Sequence, residues 1–379
     1  MQFIVLAPNE WQSRWMNRQQ LFSLIGQQHN VTYGNGALFT WHFTFRKLVN
    51  SLFSTAHTTQ DNVTVVNPSY FFLRTPRVAL LDKISIEHYV AKLTKHISKE
   101  QPVVLYIFHP VFFEYVKHIK HDYLVFHAYD DYSKQSGYGS HEKENDDRLS
   151  TQADLIITSS LLIQERYLKA QPENKVKFVP NGVDYNAFSN ASEQPIELDD
   201  IPQPRIGYVG AINQKADLSL WLALANYFQN ISFVLIGPVN NLTKEDLNAF
   251  NELKKLKNSF YLGSKKKEEI ASYMHHFDIN TMIYKSDKSG WASSGYPLKL
   301  HEYLAVGKPV ISADIEAVRE FSNVVAIAEG ADEWIEKVKQ LLNENGQSTA
   351  LAERKHVARN NTWECRVKTI LNHIKQLDK

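Results

Sequence analysis

A chain of 379 residues is too long for one ordinary core, and its 43% hydrophobic and 12% aromatic content supplies enough apolar material for two. Its 42 basic and 41 acidic side chains leave a net charge of +1, which excludes nucleic-acid binding through a broad basic surface. A single cysteine, Cys365, excludes an internal disulfide and a cysteine-rich metal site.

Taken in chain order, Met1 to Glu10 holds a short apolar run (Phe3 to Ala7) without a basic n-region, so it reads as a first strand and not as a secretory leader. No run approaches the roughly 18 apolar residues of a membrane span, and the expectation is a cytoplasmic protein. Unbroken Val- and Ile-rich runs follow at 31–33, 63–66, 103–107, 124–126 and 155–158, separated by helical patterns. That alternation predicts a parallel sheet covered on both faces. After "KVKFVPNGVDYNAF" the polar stretch "SNASEQPIELDDIPQPR" has three prolines and no apolar period, and reads as the interdomain linker. A second strand series occupies 206–210, 233–237, 260–263, 279–283, 309–312 and 324–327. Its first three members end in Gly210, Gly237 and Gly263, which lets backbone turn sharply and a ligand approach where parallel sheets bind ligands. The second domain is therefore the expected nucleotide side. At the end, Val367, Ile370, Leu371, Ile374 and Leu377 lie on one helical stripe. The reading is α/β, with domains at 1–185 and 186–355 and a C-terminal helix at 356–379 that returns to the first domain.

The stretch "GYPLKLHEYLAVGKPVIS" (295–312) carries the densest chemistry. Pro297 suits a first helical turn and Gly307 the position after its end, which predicts a helix over 297–306. Leu300 and Leu304 face the core, while Lys299 and Glu302 share another face near the positive end of the helix. An ammonium and helix N–H groups suit a diphosphate, and a carboxylate suits two ribose hydroxyls. A solvated Lys/Glu pair is the plain alternative.

Together with "VKFVPNGVDYNAF", "IGYVGAI", "FVLIGP" and "FYLGSKKKEEIASYMHHFDI", this stretch resembles the donor half of GT-B glycosyltransferases, nearest to bacterial cell-surface enzymes of the teichuronic-acid type. In the first half, "PNEWQSRWMNRQQLFSLIGQQHNVTYGNG", "VVLYIFHP", "HAYDDYS" and "ADLIITSSLL" resemble the same group in the same order. The resemblance implies two Rossmann-like domains facing across a cleft. It also implies transfer of a sugar from a nucleoside-diphosphate donor, UDP-sugar foremost, to a carbohydrate acceptor, lipid-linked and destined for the cell surface. Glu302 would hold the ribose and Lys299 the diphosphate. The backbone of Gly295, Tyr296, Pro297 and Leu298 would lie beside phosphate or sugar, with Gly210, Gly237, Asn213 and Lys215 on neighbouring turns. Retaining enzymes of this fold carry a second glutamate eight positions before the ribose one, where this chain has Ser294. They also carry an Arg/Lys pair after the first glycine turn, where "GAINQK" offers only Lys215.

The other candidate is "FHAYDDYS" (126–133), at a strand end of the first domain. Adjacent carboxylates raise each other's proton affinity, so Asp130 or Asp131 could take a proton from an acceptor hydroxyl, and inverting relatives use a first-domain aspartate in that way. An N-cap pair is the alternative. By resemblance His127 would contact the sugar, and a core or surface histidine is the alternative. Trp11 and Trp15 suit stacking on an acceptor sugar and Arg18 suits an acceptor diphosphate, against plain loop packing. No metal-ligand cluster is evident, and a metal-independent enzyme without a cofactor is expected. Lys117, His118, Lys120 and His121 are the candidates for peripheral contact with the inner membrane surface, ahead of the lysines at 254, 255, 257 and 265–267. A sugar-nucleotide epimerase or hydrolase of the same fold and a non-catalytic binding module remain open. A nicotinamide dehydrogenase is excluded, because no Gly-x-Gly-x-x-Gly turn follows a strand.

Overall fold

The computed structural model describes residues 1–13, 15–40, 57–59, 61–69, 71–134, 138–190, 193–285, 293–344 and 348–378. The chain divides into two compact units, Met1–Pro180 with Trp363–Lys379, and Asn181–Thr362.

Among the described residues the first unit carries β1 (Gln2–Leu6), β2 (Asn30–Gly34), β3 (His57–Thr58), β4 (Val63–Val66), β5 (Val103–Ile107), β6 (Tyr123–Ala128), β7 (Leu155–Thr158) and β8 (Val176–Phe178). Their order is β3-β4-β2-β1-β5-β6-β7-β8, parallel throughout except for β3 on β4. The second unit carries β9 (Arg205–Val209), β10 (Ser232–Ile236), β11 (Ser259–Tyr261), β12 (Ile279–Met282), β13 (Val310–Ala313) and β14 (Ala326–Ala328), in the parallel order β11-β10-β9-β12-β13-β14. Strands β1, β5, β9 and β10 are buried along their whole length, as their unbroken apolar runs require of strands covered on both faces. In each unit the sheet grows outward both ways from its first strand. The order therefore reverses between β1 and β5, and again between β9 and β12. Carboxyl ends at such reversal points leave a crevice, because the loops on either side of it run to opposite faces.

The division between units falls earlier than the composition suggested. The stretch expected to be a linker belongs to the second unit, where Leu198 is fully buried and Arg205 Nε and Nη2 donate to the carbonyls of Ile201 (2.8 Å) and Leu198 (2.7 Å). A buried guanidinium needs such acceptors, and this segment supplies them. At the other end, residues 356–362 stay with the second unit, where Val183 N–H donates to the Asn361 carbonyl at 3.0 Å. The helix Trp363–Lys375 then packs on the helix Asn17–Gly26 of the first unit, burying Val367, Ile370, Leu371 and Ile374.

Candidate functional site

At the carboxyl ends of β9 and β10 two backbone turns are fitted together. Gly210 N–H donates to the Ile236 carbonyl at 2.9 Å, and Ile212 N–H to the Pro238 carbonyl at 2.9 Å. A Cβ placed on Gly237, whose φ is +141°, would stand 1.8 Å from the Gly210 carbonyl oxygen, so no side chain fits there. Beyond Gly210 the loop is closed by its own polar groups. Asn213 Oδ1 accepts from Lys215 N–H at 3.0 Å, and the Lys215 carbonyl accepts from Lys285 N–H at 3.0 Å.

Against these turns stands the helix Lys299–Val306, shorter than the sequence pattern predicted. Leu300 N–H bonds the Pro297 carbonyl at 3.3 Å, so Pro297 and Leu298 form a tight lead-in turn. Gly307 ends the helix in the left-handed conformation, φ +87°. The helix is pinned to β9 by Tyr303, whose buried hydroxyl accepts from Val209 N–H at 3.0 Å and donates to the Val209 carbonyl at 3.3 Å. The lead-in is pinned by Asn181, whose Nδ2 donates to the Tyr296 carbonyl at 2.8 Å, and by the Tyr296 hydroxyl, hydrogen-bonded to His301 Nε2 at 2.8 Å.

Lys299 is 8% exposed. Its Nζ lies 3.8 Å from the centre of the Tyr208 ring and 5.0 Å from that of Tyr284. A Cβ on Gly210 would come within 2.5 Å of this Nζ, so the glycine admits the ammonium to the backbone turn. Glu302 is half-buried in the first turn of the same helix. Ser294 is buried, and its Oγ has no hydrogen-bond partner among the described residues. The structure thus brings Gly210, Lys299, Glu302 and the 294–298 backbone to the reversal point of the second sheet, with Asn213 and Lys215 on the adjoining loop. Gly237 supports the turn from behind: its N–H donates to the Gly263 carbonyl at 2.8 Å, and its carbonyl accepts from the Tyr261 hydroxyl at 3.0 Å.

In the first unit the reversal point between β1 and β5 gathers a second group. Trp11 packs edge-on against Trp15 (6.0 Å) and Tyr33 (5.0 Å). Arg18, in the first turn of the Asn17–Gly26 helix, lies over the rings of Tyr129 (4.4 Å) and Phe108 (5.8 Å). His127 stacks on Phe108 at 4.9 Å, and its Nδ1 is hydrogen-bonded to the Tyr106 hydroxyl at 2.8 Å. Burial, with the charge of Arg18 second, pushes the His127 imidazole down to about 3, so it is neutral at physiological pH. Below pH 6.5 the unfolded chain binds a proton that the folded chain refuses, and stability falls with acid by up to about 1.4 kcal/mol per pH unit from this group. His127→Asn is therefore expected to flatten the acid limb of a plot of unfolding free energy against pH; an unchanged slope would contradict the assignment.

The two aspartates separate. Asp131 accepts from Arg166 Nη1 at 3.0 Å and from the Ser133 hydroxyl at 2.6 Å. Arg166 in turn pairs with Asp146, whose carboxyl is buried, pushed upward by desolvation, and bonded by the Tyr167 hydroxyl at 2.7 Å. Asp130 is half-buried, with Oδ1 accepting from Asp131 N–H at 3.0 Å. Among the described residues, no cluster of three or more His, Cys, Asp or Glu is placed to hold a metal ion, and no helix is long and apolar enough to cross a membrane.

The family described as "Glycosyl transferases group 1" matches residues 203–344, which contain β9 to β14 and the Lys299 helix. Over those residues the chain is similar to group 1 glycosyl transferases. Over 236 residues the chain is 30% identical to TuaH of Bacillus subtilis (strain 168), a protein named as a teichuronic acid biosynthesis glycosyltransferase. That match spans 60% of this chain and 58% of TuaH. Anabaena HepE, solved with UDP and glucose, is similar at a TM-score of 0.69 and 14% identity, over 99% of this chain and 100% of HepE. Sucrose-phosphate synthase from Thermosynechococcus elongatus is similar at 0.71 and 12%, over 100% and 99%. The fold is GT-B.

Within the second unit, sequence reasoning missed Tyr208, Tyr303 and Asn181. Tyr208 could have been found from strand alternation, since it lies two residues before Gly210 and shares its face. Asn181 stands in the quoted "VPNGVD" motif, yet a side chain that bonds a carbonyl 115 positions away leaves no local signal.

Proposed function

We propose that the chain transfers a sugar from a nucleoside-diphosphate donor, a UDP-sugar foremost, to a carbohydrate acceptor, without a metal or other cofactor. The observation that carries this reading is the buried Lys299 ammonium beside Gly210, with Glu302 in the same first helical turn, within the residues similar to group 1 glycosyl transferases. Lys299 would neutralise the diphosphate as it leaves, helped by the helix N-terminus, and Glu302 would accept from the ribose hydroxyls. The UDP held by the similar HepE supports this choice of donor.

Asp130 and Asp131 are the candidates for the base that takes the acceptor proton; Asp131 is held by Arg166 and Ser133, and Asp130 accepts from Asp131 N–H. The test is transfer from a panel of nucleotide sugars by Asp130→Asn and Asp131→Asn proteins. One of the two substitutions is expected to lower transfer by roughly 10²-fold or more while sparing donor binding. Full activity in both variants would remove the pair as the base, and donor turnover that ignores every acceptor would favour the hydrolase or epimerase reading.

The finer part of the proposal is a lipid-linked acceptor met at the inner membrane surface. Its support is a run of exposed apolar side chains in the first unit, Phe71 (67% exposed), Phe72, Val78, Leu80 (68%), Leu81 and Ile84, interspersed with the exposed cations Arg77 and Lys83. Apolar bulk beside positive charge complements an anionic bilayer surface. Lys117 and Lys120 are exposed on the same unit, without such apolar neighbours in sequence. Cosedimentation with vesicles containing phosphatidylglycerol is expected for the parent and lost in Leu80→Asp/Leu81→Asp. Equal pelleting of the two proteins would contradict the contact.

A further inference from the structure

The start of the Asn17–Gly26 helix holds polar groups that are unsatisfied among the described residues. Arg18 is 2% exposed, and its Nε and Nη1 are buried with no hydrogen-bond partner among the described residues. Arg74, equally buried at 2%, is treated differently by the fold: it pairs with both Asp82 and Glu114. Around Arg18 stand ring faces instead, Tyr129 at 4.4 Å and Phe108 at 5.8 Å. Ring faces attract a cation but accept no in-plane N–H, so they offset only part of the cost of removing a guanidinium from water. One residue earlier, Asn17 is 4% exposed, and its Oδ1 is buried without a donor among the described residues. Among the described residues, two arginine N–H groups lacking an acceptor and an amide oxygen lacking a donor therefore lie on consecutive residues at the positive end of a helix.

We infer that Arg18 and Asn17 form an anion subsite for the acceptor, taking a sugar that bears a phosphate or carboxylate group. The oxyanion meets the Arg18 guanidinium, and a sugar hydroxyl donates to Asn17 Oδ1. Phosphate and carboxylate both match the planar donor fork of arginine, so the shared chemistry is an oxyanion on a hydroxylated ring. The inference rests on the reading of the first unit as the acceptor side, and names the class of acceptor.

Thermal shifts of the full chain with inorganic phosphate, glucuronate, neutral glucose and UDP test it, on the parent and on Arg18→Met and Asn17→Ala. Phosphate or glucuronate is expected to raise the melting temperature of the parent, and glucose to leave it unchanged. Arg18→Met should weaken anion binding roughly tenfold or more, and Asn17→Ala should weaken glucuronate. A response to phosphate alone assigns a phosphorylated acceptor, and one to glucuronate alone a uronic acid; either supports the subsite. Equal anion shifts in the parent and Arg18→Met, or none in the parent, would overturn it. Unliganded Arg18→Met should melt no lower than the parent, because an unpaired buried charge has been removed; a clear drop would give the guanidinium a folding role and overturn the subsite. UDP separates the two readings: a UDP shift without an anion shift ends this inference alone, and an anion shift without a UDP shift ends the donor reading alone.

Discussion

Replacing Lys299 with methionine is expected to lower sugar transfer by roughly 10²- to 10³-fold, the loss found when one preorganised donor to a developing anion is removed. Methionine keeps most of the stem that packs beside Tyr208 and deletes the charge at 3.8 Å from its ring. The ammonium is held at the turn of Gly210 by the helix, which the two Tyr303 bonds fix to β9. It therefore needs no reorganisation when a leaving diphosphate arrives. Affinity for UDP should fall by roughly 10- to 150-fold, as for a lost charge-assisted hydrogen bond. Folding stability should change by no more than about 2 kcal/mol, the upper range for a lost cation–π contact. A variant with unchanged kcat/KM would show that this ammonium does not serve the reaction.

Gly237→Ala is expected to damage the second unit by about 3–5 kcal/mol, the sum of overpacking and a disfavoured backbone conformation. Its Cβ would lie 1.8 Å from the Gly210 carbonyl oxygen and 2.7 Å from the carbonyl carbon, and neither is the end of a flexible side chain. Gly263 provides the control. Its φ is +70°, but a Cβ there meets nothing within 4 Å, so Gly263→Ala should cost only about 1–2 kcal/mol. Hydrogen exchange read peptide by peptide would locate the loss. Loosening is expected in 205–240 of Gly237→Ala, with the first unit unaltered, and equal damage from both substitutions would contradict this account of the turns.

Much of the fold was legible because strands buried on both faces must be apolar throughout. The runs at Val103–Ile107 and Leu155–Thr158 matched the observed strands residue for residue. The missed strands were short edges: Val176–Phe178, interrupted by Lys177, and His57–Thr58, which pairs antiparallel with β4. The boundary between units was misplaced because a proline-rich polar stretch resembles a linker, whereas the need of Arg205 for carbonyl acceptors is visible only in three dimensions. In the second unit the shared helical face of Lys299 and Glu302 was readable, since helix period acts over a few residues. The Asn181 bond to the Tyr296 carbonyl and the Arg166 pairing with Asp131 act between distant segments, and local pattern carries no trace of them.

A crystal structure of the chain with UDP tests the central claim most directly. The account predicts a diphosphate oxygen within hydrogen-bond distance of Lys299 Nζ and the ribose hydroxyls on the Glu302 carboxylate. UDP bound elsewhere on the second unit, or with its ribose turned away from Glu302, would contradict it.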